Sequence, residues 1–284
     1  MIQVQDLHFS YNASAHETLH GLNFGIGKGE IFGFLGPSGA GKSTTQKILT
    51  GLLKRYSGSV KVGNKEIRQI TPDFYEKVGV VFEFPNLFSK FTALENLSYF
   101  SGLYRGATWD LKELLALVGL EKDMKTRVSE FSKGMKMRLN FCRGLLNIPE
   151  VLFLDEPTSG LDPVNARGIL EIIKTQKQAG TTIFLTTHNM HVADELCDRV
   201  AFIIDGRIVL IDSPRTLKLQ KGKKKIKVES RSESGIITEE FAMDGIGENT
   251  RFQELLKSGK LETIHSLEAS LEDIFIEVTG RRLV

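Results

Sequence analysis

Runs of apolar residues, separated by polar and glycine-containing turns, recur along the first 215 residues. Several runs are nearly continuous in Val, Ile, Leu and Phe, which is typical of strands buried on both faces of a parallel sheet. The pattern predicts strands over residues 2–7, 22–26, 31–35, 59–62, 78–82, 151–154, 182–186, 200–204 and 207–211.

Helical patterns fall between these strands. Thr92 and Glu95 form a capping box for a helix that runs to about residue 104. Asp162, followed by Pro163, places an N-cap beside a proline at the first helical position. The alternation indicates an α/β core, and the stretch 86–148 is expected to be an inserted, all-helical subdomain. Further helices are predicted over residues 42–53, 110–118 and 134–147.

The pattern of apolar and polar residues changes after about residue 214. Short strands at 226–228, 236–241 and 261–264 and helices at 252–257 and 271–278 predict a small α+β appendage over residues 216–284. Residues 218–227 carry six lysines. A solvated linker and a segment attracted to anionic lipid headgroups both fit that composition.

Composition is that of an ordinary globular protein, with 41% hydrophobic and 25% charged residues. The net charge of +2 gives no broad basic field for nucleic acid. Cys142 and Cys197 lack zinc or disulfide spacing, which fits a reducing cytosol. The sequence has no signal-peptide core and no apolar run near the roughly 20 residues that span a bilayer. We therefore expect any membrane role to depend on a partner.

The strongest chemical signal is a glycine-rich turn that matches G-x-x-x-x-G-K-[ST] between a predicted strand and a predicted helix. Glycines let successive backbone N–H groups surround a phosphate, and the helix N-terminus adds partial positive charge. Lys42 is expected to hold the β- and γ-phosphates, and the Ser43 hydroxyl to ligate Mg²⁺. The motif comprises Gly36, Pro37, Ser38, Gly39, Ala40, Gly41, Lys42, Ser43 and Thr44.

Two acids follow the apolar run 151–154. Asp155 is expected to support Mg²⁺, and Glu156 to orient the water that attacks the γ-phosphate. His188 follows another buried strand and would reach the same edge of the sheet, where it could contact the γ-phosphate. A polar strand end and a lone surface histidine are the plainer interpretations of these residues.

These residues together resemble the ABC ATPases. Glu156, Asp162 and Pro163, with His188 downstream, are similar to the Walker B, D-loop and H-loop run, and residues 131–135 (Phe-Ser-Lys-Gly-Met) resemble the LSGGQ signature. The resemblance covers residues 1–215 and implies a P-loop NTPase core of the ABC ATPase type as a nucleotide-binding domain, followed by an accessory domain over 216–284.

The resemblance also implies ATP and Mg²⁺ as cofactors and a second copy, or a paralogous cassette, as partner. Each ATP would lie between the glycine-rich turn of one chain and the signature segment of the other. Tyr11 would stack on adenine, although an aromatic residue in this position is equally typical of a core. Asp162 would reach across the interface, and an N-cap role is compatible with that. The signature segment comprises Ser132, Lys133, Gly134 and Met135.

The sequence departs from the family pattern at two places. Glu83 stands where the family has a glutamine that senses Mg²⁺ and couples to the membrane subunit. The resemblance therefore places Glu83 beside ATP as a carboxylate that could still bind Mg²⁺, although it adds a negative charge facing the nucleotide. Lys133 and Met135 replace Gly and Gln of the signature, a variant that resembles export cassettes paired with type-2 ABC permeases. The resemblance thus implies an integral-membrane permease as partner, with the chain in the cytoplasm on the inner face of the membrane.

A non-transport ABC ATPase acting on nucleic acid or ribosomes is the alternative. DNA-repair and chromosome ATPases need a long coiled-coil insertion, and residues 44–131 carry no sustained heptads. Ribosome-associated members carry two cassettes in one chain, whereas this sequence has one glycine-rich phosphate motif. The signature segment disfavours a small-molecule kinase. We therefore expect no nucleic-acid partner.

Overall fold

The alternation expected from the sequence is present in the computed structural model, which describes residues 1–12, 17–221, 225–232, 235–267 and 269–281. The strands are β1 (Ile2–Phe9), β2 (Leu19–Ile26), β3 (Ile31–Leu35), β4 (Ser57–Val62), β5 (Lys65–Glu66), β6 (Val78–Val81), β7 (Val151–Asp155), β8 (Thr182–Thr187), β9 (Arg199–Ile204), β10 (Arg207–Asp212), β11 (Lys225–Ser232), β12 (Gly235–Ala242) and β13 (Leu261–Leu267). The helices are α1 (Lys42–Leu49), α2 (Ala93–Ser101), α3 (Leu111–Leu117), α4 (Lys133–Leu145), α5 (Pro163–Gln178), α6 (Met190–Leu196), α7 (Pro214–Lys221), α8 (Thr250–Lys257) and α9 (Leu271–Thr279).

The chain divides into two compact units, Met1–Ser213 and a second unit that begins at Pro214. In the first, the central sheet has the strand order β10-β9-β3-β8-β7-β6. Strands β9, β3, β8, β7 and β6 pair in parallel, and β10 is antiparallel to β9. Every residue of β3, β7 and β8 is buried, so the expectation of strands covered on both faces is confirmed.

A second, antiparallel sheet has the order β2-β1-β4-β5. Phenylalanines join it to the central sheet. The ring of Phe24 on β2 stacks on Phe32 at 5.6 Å between centroids and lies 5.6 Å from Phe34. Such ring pairs contribute about 0.5–1.5 kcal/mol beyond burial. This packing fixes β3, and with it the turn that follows β3, against the rest of the unit.

Between β6 and β7 the regular elements within 86–148 are helices, together with one isolated bridge, Thr92 to Arg127. The capping box of Thr92 and Glu95 is confirmed. Two buried amides tie α4 and its end to β6: Asn140 Nδ2 donates to Phe82 O at 2.7 Å, and Asn147 Nδ2 donates to Val78 O at 3.0 Å. The helical region is thereby attached to the edge strand of the central sheet.

The predicted helix over 42–53 was too long, because α1 ends at Leu49. Gly51 has φ +76°, and a Cβ there would lie 2.3 Å from Ile70 Cδ1, so the chain turns at this glycine. Helices α6 and α7 were not predicted. Asn189 caps α6 by accepting from the His191 N–H at 3.0 Å, but seven residues give too short a pattern to stand out.

The second unit contains the antiparallel sheet β12-β11-β13 with α8. Val228, Phe241 and Leu255 form its buried cluster, and Phe252 packs against them. The strand and helix segments expected after residue 225 are present and longer than predicted. The middle of the lysine-rich stretch, residues 222–224, lies outside the described residues.

Candidate active site

The glycine-rich turn joins β3 to α1, and two of its glycines have no substitute. A Cβ on Gly36 would lie 2.2 Å from the carbonyl oxygen of Ile203, which is a direct clash with backbone. Gly41 caps α1 at φ +107°, and a Cβ there would lie 2.6 Å from Leu19 Cδ2. The turn therefore packs closely against Ile203 and Leu19. It presents backbone, rather than side chains, to the space at the N-terminus of α1.

The side chain of Lys42 folds back along this turn. Its Nζ donates to Gly36 O at 2.7 Å and to Pro37 O at 3.0 Å, and the residue is 9% exposed. Burial lowers the pKa of the lysine, and three facing carboxylates oppose that shift: Glu156, Asp155 and Glu83. Lys42 is thus a buried cation between the glycine-rich turn and three carboxylates, placed to exchange its carbonyl partners for phosphate oxygens.

Asp155 ends β7, and its carboxylate is buried beside β8. The Thr186 hydroxyl donates to Asp155 Oδ1, because the parallel register places these two residues opposite each other. Carboxylate and hydroxyl oxygens are the protein ligands that Mg²⁺ prefers.

Glu156 follows at φ +48°, a backbone conformation that is unusual for a residue with a side chain. Its Oε2 accepts from the Thr187 hydroxyl at 2.9 Å, and its Oε1 accepts from the His188 N–H at 2.8 Å. The His188 ring Nδ1 lies 2.7 Å from the same Oε1. Strained backbone held by several hydrogen bonds is characteristic of functional sites, where one orientation of a side chain is needed.

These groups line one cleft of about 600 Å³. The Tyr11 hydroxyl lies 3.0 Å from Thr44 Oγ1, and the residue is 56% exposed, so its ring is available to stack on a flat group. Lys47 was not predicted, yet it also lines the cleft. The lining residues are Tyr11, Ser38, Gly39, Gly41, Lys42, Ser43, Thr44, Lys47, Glu83, Asp155, Glu156 and His188.

Thr186 and Thr187, which hold the two acids, were also missed by the sequence reasoning. The signal was the pair of threonines directly before His188 at the end of a buried apolar strand. Buried hydroxyls need partners, and the neighbouring parallel strand ends in two acids. Pairing each threonine with its acid required the register between β7 and β8, which the sequence alone does not give.

The signature segment does not line this cleft. Ser132 caps α4, its hydroxyl accepting from the Met135 N–H at 3.2 Å. Asp162 caps α5 by accepting from the Val164 and Asn165 N–H groups, both at 3.1 Å. The hydrogen bond from the side-chain amide of Asn165, together with these backbone N–H bonds, lowers the pKa of Asp162. Within the described part of one chain, the predicted site residues therefore form two separate groups.

A glycine-rich turn leading into a helix, with a lysine and with two acids at the end of another parallel strand of the same sheet, defines a P-loop nucleoside triphosphatase. The ABC transporter family model matches residues 19–159, and the model of a fluoroquinolone efflux ABC transporter C-terminal domain matches residues 224–268. The chain belongs to the ABC transporter family, as an ATP-binding cassette that hydrolyses ATP.

One relative spans the whole chain, and others cover about three quarters of it. A fluoroquinolones export ATP-binding protein of Mycobacterium tuberculosis is 55% identical over 284 residues, covering 100% of this chain and 94% of its own. A linearmycin resistance ATP-binding protein of Bacillus subtilis is 36% identical over 76% of this chain and 70% of its own. A dimeric ATP-binding cassette, solved in a post-hydrolysis state with ADP and Pi, superposes with a TM-score of 0.68 at 28% identity, covering 75% of this chain and 98% of its own.

Among the described residues, no helix is both long enough and apolar enough to cross a membrane.

Proposed function

We propose that this chain powers export through a separate integral-membrane permease, and that two cassettes close around two ATP molecules. The first unit is the nucleotide-binding domain, and the second is an accessory domain. One observation carries the proposal. The cleft gathers the glycine-rich turn, Lys42 and the two acids, while the signature segment of the same chain lies elsewhere. A second copy would bring its signature segment to the open side of the cleft.

Nucleotide binding follows from the cleft. The turn and the N-terminus of α1 suit phosphates, and the exposed ring of Tyr11 suits the base. Ser43 and Asp155 supply a hydroxyl and a carboxylate, the few oxygen ligands that a nucleotide-bound Mg²⁺ takes from a protein. Bound Mg²⁺ would neutralise charge on the β- and γ-phosphates. Glu83 lines the same cleft and adds a carboxylate where the family has an amide.

Hydrolysis would use Glu156 to orient the attacking water. Hydrogen bonds from Thr187 and His188 hold its carboxylate in one orientation, so the side chain does not have to be ordered when the water binds. Glu156→Gln should retain ATP binding and lose most turnover, and Lys42→Ala should lose binding or turnover. Both are measured as phosphate release and as nucleotide binding on the same preparation. Wild-type turnover in Glu156→Gln would reject this role for Glu156.

Pairing would place Ser132 and the Gly134 N–H against the γ-phosphate bound by the other copy. Ser132 is the N-cap of α4 and Gly134 lies in its first turn; α4 is a helix of 13 residues whose N-terminus attracts anions. ATP would favour the closed pair because only closure adds these contacts, and loss of the γ-phosphate would reopen it. Homology to a dimeric cassette supports this arrangement.

Permease docking is proposed for an apolar groove of about 680 Å³ beside β6. The groove includes Phe82, Leu87, Phe88 and Phe100, and Phe84 next to it is 71% exposed. An exposed aromatic cluster of this kind suits a helix laid into a groove. Cysteine crosslinking from Asn86 to the permease tests the contact, and an active complex without any such crosslink would reject it.

Export rather than import is supported by relatives whose names state export of fluoroquinolones and of Nod factors. Fluoroquinolones are therefore the first substrates to test. Cells expressing this chain with its permease should accumulate less fluoroquinolone than cells expressing the Glu156→Gln variant with the same permease. Equal accumulation in both would exclude fluoroquinolone export, and association with DNA or ribosomes in place of membranes would favour the alternative class.

A further inference from the structure

The signature segment packs against the residues that follow Glu156 in sequence, and Lys133 makes the main contact. Lys133 opens α4, and its side chain lies over Gly160. A Cβ built on Gly160 would lie 2.7 Å from Lys133 Cε and 3.0 Å from Cδ, and Gly160 has φ +74°. Gly160 therefore provides the bare backbone on which the aliphatic stem of the lysine rests.

A second contact joins the same two pieces of chain. A Cβ built on Gly134 would lie 3.6 Å from both Gly160 O and Leu161 Cδ2. Two successive residues at the start of α4 thus approach two successive residues after Glu156. The first turn of α4 and this part of the chain form one packed surface.

The part of the chain in question, residues 157–161, is here called the connecting segment. It consists of tight turns, since Ser159 N–H donates to Glu156 O at 3.0 Å and Leu161 N–H donates to Thr158 O at 3.2 Å. It joins Glu156, in the cleft, to Asp162, the cap of α5. A contact on Gly160 therefore bears on the backbone that joins Glu156 to α5.

The stem of Lys133, rather than its charge, makes the contact. The two nearest atoms to the Gly160 position are carbons, and Nζ is the most distant of the three at 3.2 Å. The residue is exposed, and no described residue forms an ion pair with its ammonium group. This is the usual arrangement of a lysine whose methylenes cover a surface while the ammonium stays in water.

We propose that Lys133 is a positioning residue that links the two ATP sites of the pair. Its stem holds the connecting segment, so that seating of the signature segment on the other copy's nucleotide sets the orientation of Glu156 in its own cleft. The inference depends on the paired function proposed above. It assigns a role to a residue that departs from the family signature.

Two variants separate stem from charge. Lys133→Ala removes both, and Lys133→Met keeps an unbranched stem without charge. Lys133→Ala should lower kcat roughly tenfold, a scale expected when a reacting group loses its orientation, and should lower the Hill coefficient for ATP. Lys133→Met should restore most of both. Binding of ATP by the isolated chain and the melting temperature should not separate the variants, because Lys133 lies outside its own cleft.

The measurements are the ATP dependence of phosphate release and thermal unfolding, on wild type and both variants. If Lys133→Met lowers kcat and the Hill coefficient as much as Lys133→Ala does, the effect comes from the charge, and the positioning role of the stem is wrong. If Lys133→Ala matches wild type in kcat and Hill coefficient, the link does not exist. Non-cooperative turnover by single wild-type chains would instead refute the paired function itself, which keeps the two failures distinct.

Discussion

Replacing Gln46 with methionine should stabilise the protein. Gln46 lies on α1, is 2% exposed, and neither polar atom of its amide has a hydrogen-bond partner among the described residues. A buried polar group left without a partner costs about 1–3 kcal/mol. Methionine has a similar length and no such groups, so Gln46→Met should raise the free energy of unfolding by roughly that amount. The residue does not line the cleft, so ATP turnover should stay at the wild-type level.

Thermal unfolding measures this directly. For a unit the size of Met1–Ser213, each kcal/mol moves the melting temperature by about 2–4 °C. Gln46→Glu is the matched control, because it has the same length and adds a charge at the same buried position, so it should lower the melting temperature. A lower melting temperature for Gln46→Met than for wild type would show that the amide is bonded, and the reasoning would fail.

Three further expectations follow from particular side chains. Ile148 is an exposed β-branched residue at φ +49°, a conformation that asparagine adopts more readily. Ile148→Asn should therefore raise the free energy of unfolding, measured in urea, by about 1 kcal/mol; a lower free energy of unfolding would contradict this. Cys142 and Cys197 are buried thiols whose pKa burial raises, so both should resist a thiol reagent until the protein unfolds; fast labelling of native protein would count against their burial. The hydrogen bond to Glu17 raises the pKa of His8 above 6.5, so this pair stabilises the fold below that pH, and its contribution is lost as pH rises through the raised value. Glu17→Gln should reduce the pH dependence of the free energy of unfolding, with Asp6 keeping part of it, and equal slopes in both proteins would refute the pairing.

Local chemistry made much of the fold predictable. The buried runs that became β3, β7 and β8 are apolar throughout, and the caps at Thr92 and Asp162 act on N–H groups two or three residues away. The glycine-rich motif could be placed because its flanking strand and helix are adjacent in sequence. Errors occurred at helix ends, as at Gly51, where contact with Ile70 decides the turn.

The remaining features depend on contacts between distant parts of the chain. Thr186 supports Asp155 only because β7 and β8 pair in one particular register. The separation of the signature segment from the cleft follows from the packing of α4, which no local pattern encodes. The contact between Lys133 and Gly160 joins residues 27 positions apart and has no periodic signal. For these features the sequence offered candidate residues without their partners.

The central claim is that the signature segment of one copy completes the ATP cleft of another. The most direct measurement is the solution mass of Glu156→Gln with ATP and Mg²⁺, compared with the same variant carrying Gly134→Glu. A Cβ on Gly134 meets its own chain only at ordinary contact distance, so the added carboxylate should leave the fold intact and repel the other copy's phosphates. We expect twice the chain mass for Glu156→Gln and the single-chain mass for the double variant. Equal masses for the two proteins would contradict the claim.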